Sequence, residues 1–204
     1  MQLRFQTGHT SAEYVSGRVW QDASLPRCPN HPYGGCSFAR HGTYERKTPP
    51  GTHVARWYCP DSHMTFSLLP DCLAARLPGS LNELEAVVAV AEQASSLEAA
   101  ADQVRRDHIA LPGAIRWVRR RIAMVQRCLL LVIGLLPEQL SRCPAEIGAV
   151  RARLATPWVL MSLREHVAAQ LPALPSPVGF SPHGSTGGDP NLPRQHKVGP
   201  DPPT

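Results

Sequence analysis

Residues able to coordinate a metal gather at two places in the first third of the chain. "CPNH" offers Cys28 and His31 with two residues between them, and "CPDSH" offers Cys59 and His63 with three between. Cys36 follows "YGG", a flexible link able to fold it back towards the first pair. A structural zinc takes four sulfur or nitrogen donors in a tetrahedron, usually two from each of two tight turns. Five donors are therefore available for four places: Cys28, His31, Cys36, Cys59 and His63. In both motifs a proline after the cysteine presets the φ angle of the turn. With donors to spare, a closed structural site is expected rather than a catalytic one with an open position. His41, within "RHG", reads as a strand histidine. Cys72, Cys128 and Cys143 lie in apolar settings and read as small core residues.

Arginine makes the second grouping. The segment 104–127 holds seven arginines and a single acid, Asp107. "SSLEAAADQVRRDHIALPGAIRWVRRRI" has the layout of a helix-turn-helix: a short Ala-rich helix, a turn, and a second helix with a basic side. Helical spacing puts Arg116, Arg119 and Arg120 on one face, with Ile115, Val118 and Ile122 opposite. Arg105 and Arg106 stand at the end of the preceding helix. Arginine suits nucleic acid because its planar fork gives two parallel hydrogen bonds to a phosphate or a guanine edge. A cluster serving only the helix dipole would sit at the C-terminal end, and this one lies near the start. Trp117 reads as a core residue.

Around these groups, residues 1–26 have no strong period and read as a weakly structured lead-in. Residues 27–69 read as a β-hairpin module, with "TPPGT" as turn chemistry between "SFARHGTYERK" and "HVARWYC". Residues 80–172 read as helical, with the helix-turn-helix at about 95–125. Ser80 with Glu83, and Ser95 with Glu98, have capping-box spacing. Leu84, Val87, Val88 and Ala91 share a helical face. Pro112 suits a first helical turn, and further helices are expected over about 137–154, broken near Pro144, and 157–171 with Thr156 as N-cap. The fold class expected is mainly α with a small β module, a three-helix core and further helices. Residues 173–204, rich in Pro, Gly, Ser and charge, read as a disordered tail.

With 204 residues, 43% of them hydrophobic, the chain has length for a real core, and its net charge of +5 permits a polyanionic partner. "MQLRFQTGHTSAEYVSG" lacks an apolar signal core, and the apolar run at 128–136 is about half a ~20-residue membrane span. A soluble intracellular protein is expected, with its six cysteines as thiols or metal ligands. "PPG" and "STGG" are not P-loops, because neither leads into a lysine and a helix, and no G-x-S-x-G or H-E-x-x-H occurs.

The order "CPNHPYGGC…RHGTYERK…RWYCPDSHMTFS", then "SLEAAA…AIRWVRRR", resembles the front end of bacterial insertion-sequence transposases and transposase-like proteins. These carry a zinc ribbon with C-P-x-x-C, R-x-G-x-Y-x-R and R-Y-x-C-x-x-C-x-x-T-F-S patterns, followed by a helix-turn-helix. The resemblance spans about residues 27 to 121. It implies Cys28 and Cys59 as ligands, "TFS" at 65–67 as the closing strand, and Arg116, Trp117 and Arg119–Arg121 in a recognition helix. Ser62 stands where that pattern has a second cysteine, with His63 beside it, and His31 stands where another would be. Past residue 125 no strand series is expected to carry the carboxylate triad that transposition uses with two metal ions.

The expected function is accordingly non-enzymatic binding of double-stranded DNA, by a transposase-accessory or truncated protein in the bacterial cytoplasm. Arg40, Arg46, Lys47 and Arg56 of the ribbon would add backbone contacts, and the C-terminal helices would complete the core or pair two protomers. No small-molecule substrate or membrane is expected. The alternative is a zinc-stabilised protein–protein interaction module or regulator.

Overall fold

A computed structural model describes residues 1–105 and 110–181. The chain is mixed α/β: one four-stranded sheet and several helices. The hairpin is formed by β2 (Ala39–Arg46) and β3 (Thr52–Cys59), antiparallel, with a register shift between Arg40 and Thr43. β4 (Met64–Pro70) pairs antiparallel with β3, and β1 (Gln2–Phe5) pairs parallel with β4, giving the order β1-β4-β3-β2.

The first 26 residues, expected as a weakly structured lead-in, are thus part of the fold. Beyond β1 they form α1 (Ser11–Ser16), opened by a capping box between Thr10 and Glu13. Tyr14 of α1 is buried and donates to the carbonyl of His53. Arg40 donates to the carbonyls of Trp20 and Gln21, so the segment after α1 is held on the hairpin as well.

Successive strand residues point to opposite faces, and both faces are covered. Ala55, Trp57 and Cys59 of β3, with Phe66 and Leu68 of β4, join Cys28 in a small cluster on one side. Val54 and Leu69 belong to the large cluster on the other, with the helices. A two-sided central strand of this kind reads as a near-continuous buried run, and β3 does so at Val54, Ala55, Trp57 and Cys59.

The helical layer begins with α2 (Leu81–Gln93), whose Ser80–Glu83 capping box is present as expected. α3 (Leu97–Val104) is capped by Ser96 rather than Ser95. α4 (Leu111–Leu135) follows with Pro112 in its first turn. These three helices pack together through Ala101, Ala114 and Val118. The apolar arc of α2 is shared: Leu84 and Val88 face the large core, Val87 and Ala91 the α3–α4 side.

α5 (Pro137–Leu140), α6 (Ile147–Leu154) and α7 (Val159–His166) complete the large core. α7 starts at Val159, with Trp158 rather than Thr156 in the N-cap place. Neither α6 nor α7 has a cap from its own N-terminal side chain. Two carboxylates one heptad apart on α2 do this instead. Glu92 accepts from the amides of Ile147 and Gly148, and buried Glu85 accepts from the amide of Leu160 and from Arg151.

The expected disordered tail begins too early at 173. Leu174, Val178 and Phe180 are buried. They are held by Arg164 of α7, a fully buried guanidinium that donates to five carbonyls: Pro70, Asp71, Leu73, Pro177 and Val178. Burial lowers the Arg164 pKa to about 10, against the opposing pull of nearby Asp71. Residues 182–204 lie outside the described residues, as do Arg106 and the first half of the "HIAL" turn. Among the described residues no strand follows Pro70, and no helix is long and apolar enough to cross a membrane.

Candidate metal centre and basic helix

Cys28, His31, Cys36 and Cys59 each bring one donor atom to a single point, all within 4.8 Å of one another. The local chain explains why. A tight turn pairs Cys28 with His31 and closes with a hydrogen bond donated by the His31 backbone N–H to the Cys28 carbonyl. Gly34 and Gly35 then both take positive φ (+87° and +85°), a backbone state that only glycine adopts freely. That reversal carries Cys36 back over the pair. Cys59, the last residue of β3, arrives from the sheet. Phe38 packs edge-on against Phe66 beneath the group, at 5.9 Å between ring centroids.

The distances fit zinc. Zn–S near 2.3 Å and Zn–N near 2.0–2.1 Å in a tetrahedron put sulfur and nitrogen about 3.5 Å apart. The Nδ1 atom of His31 lies 3.5 Å from the sulfur of Cys28 and 3.5 Å from that of Cys59. Three thiols and one imidazole are a soft, closed donor set, suited to zinc held for structure. Electrostatics agree. The Ser62 hydroxyl and amide, then the thiols of Cys28 and Cys36, lower the Cys59 pKa to about 6. Burial, and then the hydrogen bonds to Cys28 and Cys59, raise Cys36 to about 11.

His63 is not among the four. It ends the β3–β4 turn in the left-handed region (φ +49°), and its Nδ1 lies 3.4 Å from the exposed hydroxyl of Tyr58. The extra residue in C-x-x-x-H sends it to the strand side of the turn. Of the other cysteines read as core residues, Cys72 and Cys128 are buried in the large core, where burial raises their pKa to about 12 and about 11, and Cys143 is half-buried against it.

The basic residues divide into two sorts. Arg116, Arg119 and Arg120 are exposed on α4 and have no hydrogen bond or ion pair to any of the described residues. α4 carries five arginines in 25 residues and no acid. Lys47 is exposed too. The other arginines named from sequence, Arg106 apart because it lies outside the described residues, are engaged. Arg121 lies 3.6 Å above the Trp117 ring, and burial lowers its pKa to about 10. Arg105 pairs with Asp102 at 2.7 Å. Arg40 stacks on Trp57 besides its carbonyl bonds, Arg46 donates to the carbonyls of Ala74 and Leu77, and half-buried Arg56 lies over Tyr44. Four of the ribbon and helix-end cations named from sequence are thus occupied in holding the fold.

Comparison with protein-family models, with curated proteins and with solved structures finds no match for this chain. The class that fold and centre define is a mixed α/β chain with a three-cysteine, one-histidine group able to hold a metal ion.

Proposed function

We propose that this chain is a double-stranded-DNA-binding protein of the transposase-accessory or truncated kind. In this reading Cys28, His31, Cys36 and Cys59 hold one zinc that fixes the ribbon-like turns on the sheet, and α3 with α4 acts as a helix-turn-helix. The zinc supplies cross-linking of loop to strand and no reaction step. The observation that carries the reading is α4: five arginines without an acid, three of them exposed together near the N-terminus of the helix. Cations three and four residues apart on one helix face repel one another. The arrangement costs stability unless an anion meets it. Phosphate of a duplex, met along a groove, is the anion that fits such a face.

Arg116, Arg119 and Arg120 are assigned phosphate and base-edge contacts, while Arg121 positions the helix by stacking on Trp117. Titration onto duplex DNA at rising salt tests this. Affinity should fall steeply, and Arg116→Ala, Arg119→Ala and Arg120→Ala should each reduce the salt slope by about 1. Arg121→Ala should instead lower thermal stability. A salt-independent affinity, or one indifferent to all three substitutions, sinks the proposal.

A further inference from the structure

Of the six cysteines only Cys36 and Cys143 are not buried. The two differ in company. Cys36 has the sulfurs of both Cys28 and Cys59 within hydrogen-bonding reach, whereas Cys143 belongs to no donor group among the described residues. Access differs within the group as well. Cys28 and Cys59 are 3% and 0% exposed. A cavity of about 450 Å³ opens over the group, and Cys28 and Cys36 line it while Cys59 does not. The loop that brings Cys36 there turns at Gly34 and Gly35, and an added Cβ at either would meet nothing within 4 Å. That turn stands in open space, free of packed neighbours that would hold it in one position.

We infer that Cys36 is a site of reversible oxidation by hydrogen peroxide, and that Cys28 resolves it as a disulfide. The inference rests on the reading of these four residues as zinc ligands and not on the DNA reading. A thiol that coordinates zinc is deprotonated outright, so the metal-loaded chain holds Cys36 as a thiolate at the wall of a cavity roomy enough for a peroxide. The Cys36 sulfur attacks one peroxide oxygen, the O–O bond breaks, and hydroxide departs to be protonated by water. The sulfur has lost an electron pair and stands as a sulfenic acid, and the peroxide is reduced. The Cys28 thiolate then attacks the Cys36 sulfur. The S–S bond forms, the S–O bond breaks, and a second hydroxide leaves. Two thiolates, one peroxide and two protons thus become one disulfide and two waters. Cys28 is the partner because it shares the loop and the cavity wall with Cys36, whereas Cys59 is fixed at the end of β3. His31 and Cys59 alone then remain as donors, and a closed four-donor site reduced to half releases its ion.

The test uses the full chain loaded with zinc, its metal content measured beforehand. Hydrogen peroxide in slight excess should take that content from one per chain to none, read with a colorimetric chelator. Dithiothreitol with added zinc should restore it. Peptide mapping of the oxidised chain should find a Cys28–Cys36 disulfide, and dimedone present during oxidation should label Cys36. Cys143→Ser, outside the group, should release zinc at the unaltered rate. A chain that takes up no metal sinks the zinc reading and this inference with it. Three results overturn the inference and leave the zinc reading standing. These are zinc retained under peroxide, dimedone labelling that falls first on another cysteine, or a disulfide other than Cys28–Cys36. A release abolished by Cys143→Ser would overturn it too.

Discussion

The residue with the largest structural burden is Arg164. A charge taken wholly out of water is destabilising unless hydrogen-bonded on all sides, and here five carbonyls from two distant segments surround it. Each carbonyl in turn relies on it. Arg164→Ala should therefore lower unfolding free energy by more than about 3 kcal/mol in urea denaturation, since orphaned buried acceptors cost about 1–3 kcal/mol each. Arg164→Lys should recover only a part, because an ammonium has three donors in place of a five-donor fork. At the metal centre the prediction is a contrast. Single replacements of Cys28, His31, Cys36 or Cys59 should lower the zinc content of purified protein, and His63→Ala should leave it at one per chain. This is sharper than the sequence allows. Spacing nominates five donors, and only the left-handed turn at His63 and the paired positive-φ glycines at 34 and 35 separate them.

At the scale of elements, α2 acts as a post on which two later helices start. Helix N-termini leave amides unsatisfied, and Glu92 and Glu85 supply the missing acceptors from 55 and 75 residues away. Glu92→Ala should cost about 1 kcal/mol, the usual worth of a cap, and lower Tm by about 2–4 °C. Glu85→Ala should cost more, because it also leaves Arg151 without its carboxylate. Local caps are legible in sequence, as Ser80 with Glu83 shows. "TSAE" at 10–13 carries the same signature and would have revealed α1 inside the supposed lead-in. Caps that reach across the fold have no sequence signature at all. Nor does a parallel edge strand such as β1, whose partner lies some 65 residues on. The periodic elements were readable for the opposite reason: strand alternation and the α4 stripe are written in neighbouring residues.

At the scale of the whole molecule, the sheet separates two cores. The metal-side cluster is small, and the helical core is large and independent of the four ligands. Removal of metal by a strong chelator should therefore loosen the first without melting the second. Hydrogen exchange should rise across 28–38 and at the Cys59 end of β3, while α2, α6 and α7 stay protected. Global loss of helix on chelation would contradict this separation. Stability should also be lost with acid in the metal-loaded protein, since protons compete with the ion for the thiolates.

The clasp at Arg164 also settles where the molecule tolerates alteration. Composition places the border of the ordered body near residue 173, yet Val178 and Phe180 lie inside it. A reporter domain fused directly after Pro172 would leave the guanidinium stranded in a water-filled notch. The same fusion made beyond Ser181 would leave in place every one of these five bonds to Arg164.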